Sequence, residues 1–117
     1  MDKICIISRY RAENEKELEF NKKIARYFCR QIIEEGNVPV APHLYYTQFL
    51  DDNYPDDRAA GLYLGLHDLC ESKEYLLVVV DGVISEGMKN EIVEVARLGM
   101  KGRIVALNRQ EAEELVM

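Results

Sequence analysis

The chain has 117 residues, 48% of them hydrophobic, which suits one domain around a single core. Fifteen basic and 21 acidic residues give a net charge of −6, which argues against binding polymeric nucleic acid but allows a small anionic ligand in a local pocket. The sequence contains no apolar run long enough to span a membrane, and its start lacks the pattern of a secretory signal. We therefore expect a cytoplasmic protein with no membrane partner.

The first half of the chain predicts two strands and a long helix. A strand is predicted at residues 3–8, and a helix at 14–35, where apolar residues recur at helical spacing. Residues 38–41 predict a short strand, and Pro39, which cannot donate to a ladder, favours an edge position. The aromatic segment 42–55 is predicted as a long loop containing a turn of helix.

The second half continues the alternation of helices and strands. A helix is predicted over 56–72, and the strand at 75–80 lacks polar alternation, as expected of a strand covered on both faces. A further long helix is predicted over 86–100, a fourth strand over 103–107 and a short helix over 110–115. This order predicts an α/β fold, with a parallel sheet and helices on both faces, in a single domain over residues 1–117.

The cysteines do not indicate a disulfide framework or a metal site. Cys5, Cys29 and Cys70 are widely separated, and each falls in a predicted strand or helix. Only His43 and His67 could add metal ligands. We expect core cysteines in a reducing compartment, no metal and no cofactor.

Ligands of open parallel sheets bind beyond the carboxyl ends of the strands, where the strand order reverses. Four residues lead from the first strand toward a helix N-terminus: Ser8, Arg9, Tyr10 and Arg11. Their hydroxyl, amide and guanidinium groups suit a phosphate or a sugar, although the glycines of a dinucleotide fingerprint or a P-loop are absent. The alternative interpretation is a surface loop with solvated arginines.

The segment after the second strand carries an imidazole and aromatic rings. His43, Tyr45 and Tyr46 follow that strand, and aromatic rings beside a polar cleft stack on nucleobases in other proteins. The alternative is that these rings pack on the sheet or on another subunit.

Residues 81–92 follow the most apolar strand and are the most informative stretch. Ser85 suits the N-cap of the next helix, and Gly87 permits close approach of a ligand to the backbone. At about 100° per residue, Glu91 borders the predicted buried stripe, which consists of Met88, Ile92, Val95, Ala96 and Gly99. A semi-buried carboxylate at a cleft is a candidate nucleophile or base, whereas the alternative is a border glutamate paired with a lysine or arginine.

Two aspartates are further candidates near the same cleft. Asp68 lies late in the second long helix, where it serves equally well as a structural hydrogen-bonding residue. Asp81 directly follows the third strand, the position of the phospho-accepting aspartate in receiver domains. Those domains also need paired acids after the first strand, where this chain reads "SRYR", so the receiver interpretation is disfavoured.

Taken in order, these residues resemble the nucleoside 2-deoxyribosyltransferase-like superfamily along nearly the whole chain. The matching motifs are the Ser8-to-Arg11 loop, "APH" at 41–43, Asp68, and Ser-x-Gly-x-x-x-Glu from Ser85 to Glu91. The resemblance is strongest to the short phage and bacterial branch, which is related to 2′-deoxynucleoside 5′-phosphate N-hydrolases.

The resemblance implies a doubly wound, flavodoxin-like sheet of four to five strands and a nucleoside or nucleotide ligand. It also implies that Glu91 attacks the anomeric carbon and cleaves or transfers the N-glycosidic bond through a glycosyl-enzyme intermediate. Asp68 then positions the sugar or handles the leaving base, while Ser85 and the amides around Gly87 hold the 5′ end.

The superfamily commonly builds its sites at subunit contacts, so the resemblance also implies a homo-oligomer, for which the 42–55 segment offers aromatic rings. The alternative function is a non-catalytic binder that sequesters or senses a nucleotide-derived metabolite in a phage–host setting. It keeps the same pocket but needs no reactive geometry at Glu91.

Overall fold

The computed structural model describes all 117 residues, Met1–Met117. The four strands are β1 (Lys3–Ile7), β2 (Val38–Val40), β3 (Glu74–Val80) and β4 (Lys101–Leu107). The helices are α1 (Glu15–Glu34), α2 (Pro42–Tyr45), α3 (Pro55–Cys70), α4 (Glu86–Leu98) and α5 (Arg109–Leu115), with a 3₁₀ turn at Tyr46–Gln48. None of these helices combines the length and apolar character that a membrane crossing requires.

All strand pairs are parallel, in the order β2-β1-β3-β4. The predicted α/β fold is therefore confirmed, with four strands, and β2 lies at an edge of the sheet. The chain leaves β1 toward β2 and later returns to the other side of β1 with β3. The strand order thus reverses beside β1, which is where a doubly wound sheet opens a crevice for ligands.

The alternation of side chains along the central strands builds two hydrophobic clusters, one on each face of the sheet. Ile4 and Ile6 of β1 point to one face, where they pack with apolar residues of α1 and with Ala112 of α5. Cys5 and Ile7 point to the other face, where they pack with apolar residues of α3 and α4. These three layers place α3 and α4 on the face that carries the crevice.

The loop that follows β1 is fixed to α1. Asn14 caps α1, and its side-chain oxygen accepts a hydrogen bond from the Glu17 amide at 2.9 Å. The buried Asn21 donates from Nδ2 to the Tyr10 carbonyl oxygen at 2.9 Å. A helix that is rigidly packed on the sheet therefore holds residues 8–14 in place.

Three details differ from the sequence-based expectations. The 42–55 segment is more regular than a loop, because α2 and the 3₁₀ turn occupy most of its first half. Cys70 is exposed, so the expectation of a core cysteine is wrong there, since α3 turns that side chain away from the sheet. Ala96 and Gly99, which are predicted in the buried stripe of α4, are also exposed, and the buried residues of α4 are Met88 and Val95.

Candidate functional site

A cavity of about 800 Å³ opens beyond the carboxyl ends of β1, β2 and β3. Four segments line it: the loop after β1, the α2 and 3₁₀ segment with the residues that follow it, the first three turns of α3, and the start of α4. Since each of three neighbouring strands delivers a polar segment to it, the cavity lies where the strand order predicts a ligand. Its size suits a small organic molecule.

Glu91 lies in the second turn of α4 and lines this cavity. The helix presents residues 88, 91 and 95 on neighbouring parts of one side, and Met88 and Val95 of that set are buried against the sheet. The Glu91 side chain is therefore half-buried between the sheet and the cavity. Burial raises its pKa to about 8, and no hydrogen bond or ion pair offsets that rise.

The start of α4 is the second feature of this wall. The Ser85 hydroxyl caps the helix and accepts a hydrogen bond from the Met88 amide at 3.3 Å. A Cβ atom placed on Gly87 would meet no atom within 4 Å, so nothing in the protein fills the space beside this residue. Ser85, Gly87 and Met88 all line the cavity, as does Glu91 one turn further on.

Ser8 and His43 form a hydrogen-bonded pair in the cavity wall. The Ser8 Oγ and the His43 Nε2 are 2.8 Å apart, and the Tyr10 ring stands edge-on to the imidazole at 6.1 Å between centroids. Burial lowers the pKa of His43 to about 4, so the imidazole is neutral at physiological pH. The pair therefore offers neutral hydrogen-bonding groups to a ligand rather than a positive charge.

Asp68 does not itself line the cavity, and Tyr46 lies between Asp68 and the cavity. The Tyr46 hydroxyl donates to Asp68 Oδ2 at 2.7 Å, and this bond is the main reason that the pKa of Tyr46 rises to about 12. Tyr46 is a lining residue, whereas the predicted Tyr45 is exposed outside the cavity with its ring against Tyr46 and Phe49. Of the two adjacent tyrosines only Tyr46 lines the cavity, and Tyr45, which is predicted from the sequence as a binding residue, does not, because α2 ends between the two.

Glu91 and Asp68 nevertheless lie close to the same buried thiol. Burial raises the pKa of Cys5, and the negative charges of Glu91 and then Asp68 raise it further. Cys5 belongs to β1 and points to the face covered by α3 and α4. The two carboxylates therefore approach one strand from two different helices, with Tyr46 linking Asp68 to the cavity.

Three arginine side chains line the cavity. Arg9 and Arg11 come from the loop after β1, and Arg58 comes from the first turns of α3. None of the three has a carboxylate within ion-pair distance, whereas four of the other arginines are paired: Arg30, Arg97, Arg103 and Arg109. The lining also contains acidic residues, namely Glu13, Asp52, Glu86 and Glu91. The cavity thus offers guanidinium groups to an anion beside carboxylates.

Asp81 lies outside this cavity, contrary to the sequence-based expectation. Its backbone is left-handed, with φ of 54°, and its Oδ1 accepts a hydrogen bond from the Arg109 amide at 2.8 Å. This turn directs the carboxylate to the start of α5, where it borders a separate pocket of about 70 Å³. Arg109 in that pocket is already paired with Glu17 and stacked on the Phe20 ring. Asp81 therefore joins β3 to α5.

Several lining residues were missed from the sequence. Arg58, Leu62 and Leu66 face the cavity from α3 at intervals of four residues, a spacing that periodicity detects. Periodicity alone assigns such positions to the core, and Leu62 is in fact 39% exposed because the cavity opens beside it. No cluster of three or more His, Cys, Asp or Glu side chains could hold a metal ion.

Comparison with known proteins agrees with the fold. A family model described as "Domain of unknown function (DUF7768)" matches residues 2–105. The curated proteins give no match. Among solved structures, the chain is similar to a 2-deoxyribosyltransferase from the psychrotolerant bacterium Bacillus psychrosaccharolyticus, with a TM-score of 0.67 and 15% identity, over 89% of this chain and 72% of that chain. At this level of identity the similarity shows a shared fold.

Proposed function

This chain belongs to the DUF7768 family, and we propose that it binds a nucleoside or nucleotide and cleaves or transfers its N-glycosidic bond with Glu91 as nucleophile. The observation that carries the proposal is the unpaired, half-buried Glu91 carboxylate in the wall of the large cavity at the strand-order reversal. The fold shared with a 2-deoxyribosyltransferase supports this choice of reaction.

The reaction proceeds in two steps. The Glu91 carboxylate oxygen bonds to the anomeric carbon, the C–N bond breaks, and its electron pair leaves with the base, which takes up a proton from water. A carboxylate beside that carbon stabilises the positive charge that develops in the transition state. Water then attacks the same carbon, releasing the sugar, a proton and the free carboxylate, whereas a second base in place of water gives transfer. Two displacements retain the configuration of the sugar.

The remaining groups bind and orient the ligand in this proposal. Tyr46 contacts the sugar or the base, and Asp68 acts through Tyr46 by fixing the phenol with the 2.7 Å hydrogen bond. The Ser8–His43 pair supplies neutral hydrogen bonds from the opposite segment. Ser85 and the backbone at Gly87 hold the 5′ end, with Arg9, Arg11 and Arg58 available to a phosphate.

Incubation with a panel of nucleosides and 5′-monophosphates, followed by chromatography for free base, tests the proposal. We expect base release by the wild type and its loss in Glu91→Gln. Glu94→Gln is the matched control, because Glu94 lies on the same helix but pairs with Arg97 outside the cavity. Absence of base release by the wild type, or equal release by Glu91→Gln, would contradict the proposal.

One observation favours a second function, a non-catalytic binder of a nucleotide-derived metabolite. With a pKa of about 8, Glu91 is mostly protonated at neutral pH, and a protonated carboxyl is a hydrogen-bond donor rather than a nucleophile. Calorimetric titration of the same panel distinguishes the two functions. Binding without turnover that survives in Glu91→Gln supports the binder, whereas turnover that depends on Glu91 excludes it.

The other sequence-based expectations stay predictions. We propose that residues 1–117 act as a single domain, that the chain forms a homo-oligomer and that it works in the cytoplasm. Assignment to the phage and bacterial branch likewise stays a prediction.

A further inference from the structure

The second edge of the sheet is formed by β4, and its face toward α3 and α4 is uncovered. Residues 102, 104 and 106 point to that face, since their pairing partners in β3 are Tyr75, Leu77 and Val79. All three are exposed, and Ile104, the middle residue of the seven in β4, is 65% exposed. The strand contains neither a proline nor a bulge, two of the devices that protect an edge, and its charged residues Lys101 and Arg103 point to the opposite face of the sheet.

The backbone of β4 is unpaired at the same three residues. The Leu107 carbonyl oxygen accepts a hydrogen bond from the Asp81 amide at 2.8 Å, so Leu107 directs its backbone groups toward β3. Along a strand in a parallel sheet, successive residues direct their N–H and C=O groups to opposite sides. The groups of Gly102, Ile104 and Ala106 therefore point outward from the sheet.

We infer that β4 pairs in antiparallel orientation with β4 of a second copy of this chain, about a two-fold axis at Ile104. Ile104 then lies opposite Ile104 of the second copy, and Gly102 lies opposite Ala106. Each of these pairs joins residues whose backbone groups point outward, so the register forms hydrogen-bonded pairs along the whole strand. Two four-stranded sheets become one continuous sheet of eight.

The side chains fit this register. Arg103 falls opposite Val105 and Lys101 opposite Leu107, so no like charges face each other directly. The positive charge of Arg103 is also neutralised within its own chain by Glu35, at 2.8 Å. The Tyr75 ring lies against Gly102, where a Cβ atom would collide with it, and small Ala106 of the second copy comes next to that ring.

Neighbouring registers fit less well. A shift of two residues in one direction sets Arg103 against Arg103 of the second copy, and the opposite shift leaves Gly102 without a partner. A shift of one residue sets outward backbone groups against inward ones. A self-complementary strand of this kind favours a second copy over an unrelated partner, because each chain brings the same surface to the contact.

Sedimentation velocity, over a wide range of concentration, tests the contact. The wild type is expected to reach a dimer of twice the 13.5 kDa chain mass. Ile104→Lys and Ile104→Glu should each lose the dimer, since like charges then meet at the two-fold axis, and an equal mixture of the two should regain it. Ile104→Pro should also remain monomeric but folded, because the N–H that proline removes points outward.

Phe49→Ser is the matched control. Phe49 is 66% exposed and lies in the aromatic 42–55 segment, the alternative contact surface. We expect this variant to keep the dimer, and circular dichroism should show every variant folded. A wild type that stays monomeric, Ile104 variants that keep the dimer mass, or a dimer lost only in Phe49→Ser would each overturn the inference.

Discussion

Replacement of Glu91 by glutamine should stabilise the protein increasingly as the pH rises. Burial raises the pKa of Glu91 from 4.5 to about 8, so the fold favours the protonated form. The resulting stability is complete below pH 4.5, the unfolded value, and is lost progressively as the pH rises through the folded value of about 8. Glutamine does not ionise and escapes this loss.

The size of the expected stabilisation follows from the shift in the pKa of Glu91. Each pKa unit corresponds to about 1.4 kcal/mol, which gives an upper limit of about 4 kcal/mol between pH 5 and pH 8.5. Since the carboxylate borders an open cavity that water reaches, we expect about half of this, roughly 2 kcal/mol.

Urea unfolding at pH 5 and pH 8.5 measures the effect. The difference in unfolding free energy between Glu91→Gln and the wild type should grow by that amount between the two pH values. Glu94→Gln is the control, because the hydrogen bond to Arg97 lowers the pKa of Glu94 and keeps it ionised throughout this range. Its difference from the wild type should stay constant. If the difference in unfolding free energy between Glu91→Gln and the wild type is equal at both pH values, burial does not raise the pKa of Glu91 and the prediction is refuted.

Three further results are expected. Gly102→Ala should lower the unfolding free energy by about 1–3 kcal/mol in urea titrations, since the added Cβ collides with the Tyr75 ring; an unchanged midpoint would mean that the ring moves freely. Arg58→Gln should weaken calorimetric binding of 5′-monophosphates but not of nucleosides, whereas Arg26→Gln, an exposed arginine outside the cavity, should change neither. An equal loss of affinity for both ligand classes would contradict a contact between Arg58 and the phosphate. Tyr46→Phe should slow base release about tenfold to a hundredfold, the cost of a hydrogen bond to a charged group, and an unchanged rate would exclude Tyr46 from ligand positioning.

The fold was predictable because local patterns and global topology agree in this chain. The apolar run at β3 indicates a strand covered on both faces, and the structure has one hydrophobic cluster on each side of it. Helical periodicity put Glu91 beside Met88, and the structure has Glu91 between the sheet and the cavity. Side chains suited to capping, such as Ser85, also mark a helix start at the sequence level.

The rest depends on tertiary geometry that no local pattern encodes. Tyr45 and Tyr46 are equivalent in sequence, and only the turn between α2 and the 3₁₀ segment decides which ring lines the cavity. Asp81 turns away from the cavity because its backbone is left-handed, and the presence of an aspartate in the sequence does not predict that conformation. The exposure of Ile104 follows from the strand order, since its strand reads like any covered strand until β4 is known to be an edge.

The most direct test of the proposed chemistry is to locate the sugar on Glu91. The wild type is incubated with a nucleoside that it cleaves, quenched in acid and digested with trypsin, which cuts after Lys89 and Arg97 and releases residues 90–97. Fragmentation of this peptide distinguishes Glu91 from Glu94. A sugar mass on Glu91 that is absent from Glu91→Gln is the predicted result. Base release that leaves no sugar on Glu91, or a sugar found on Glu94, would contradict the account.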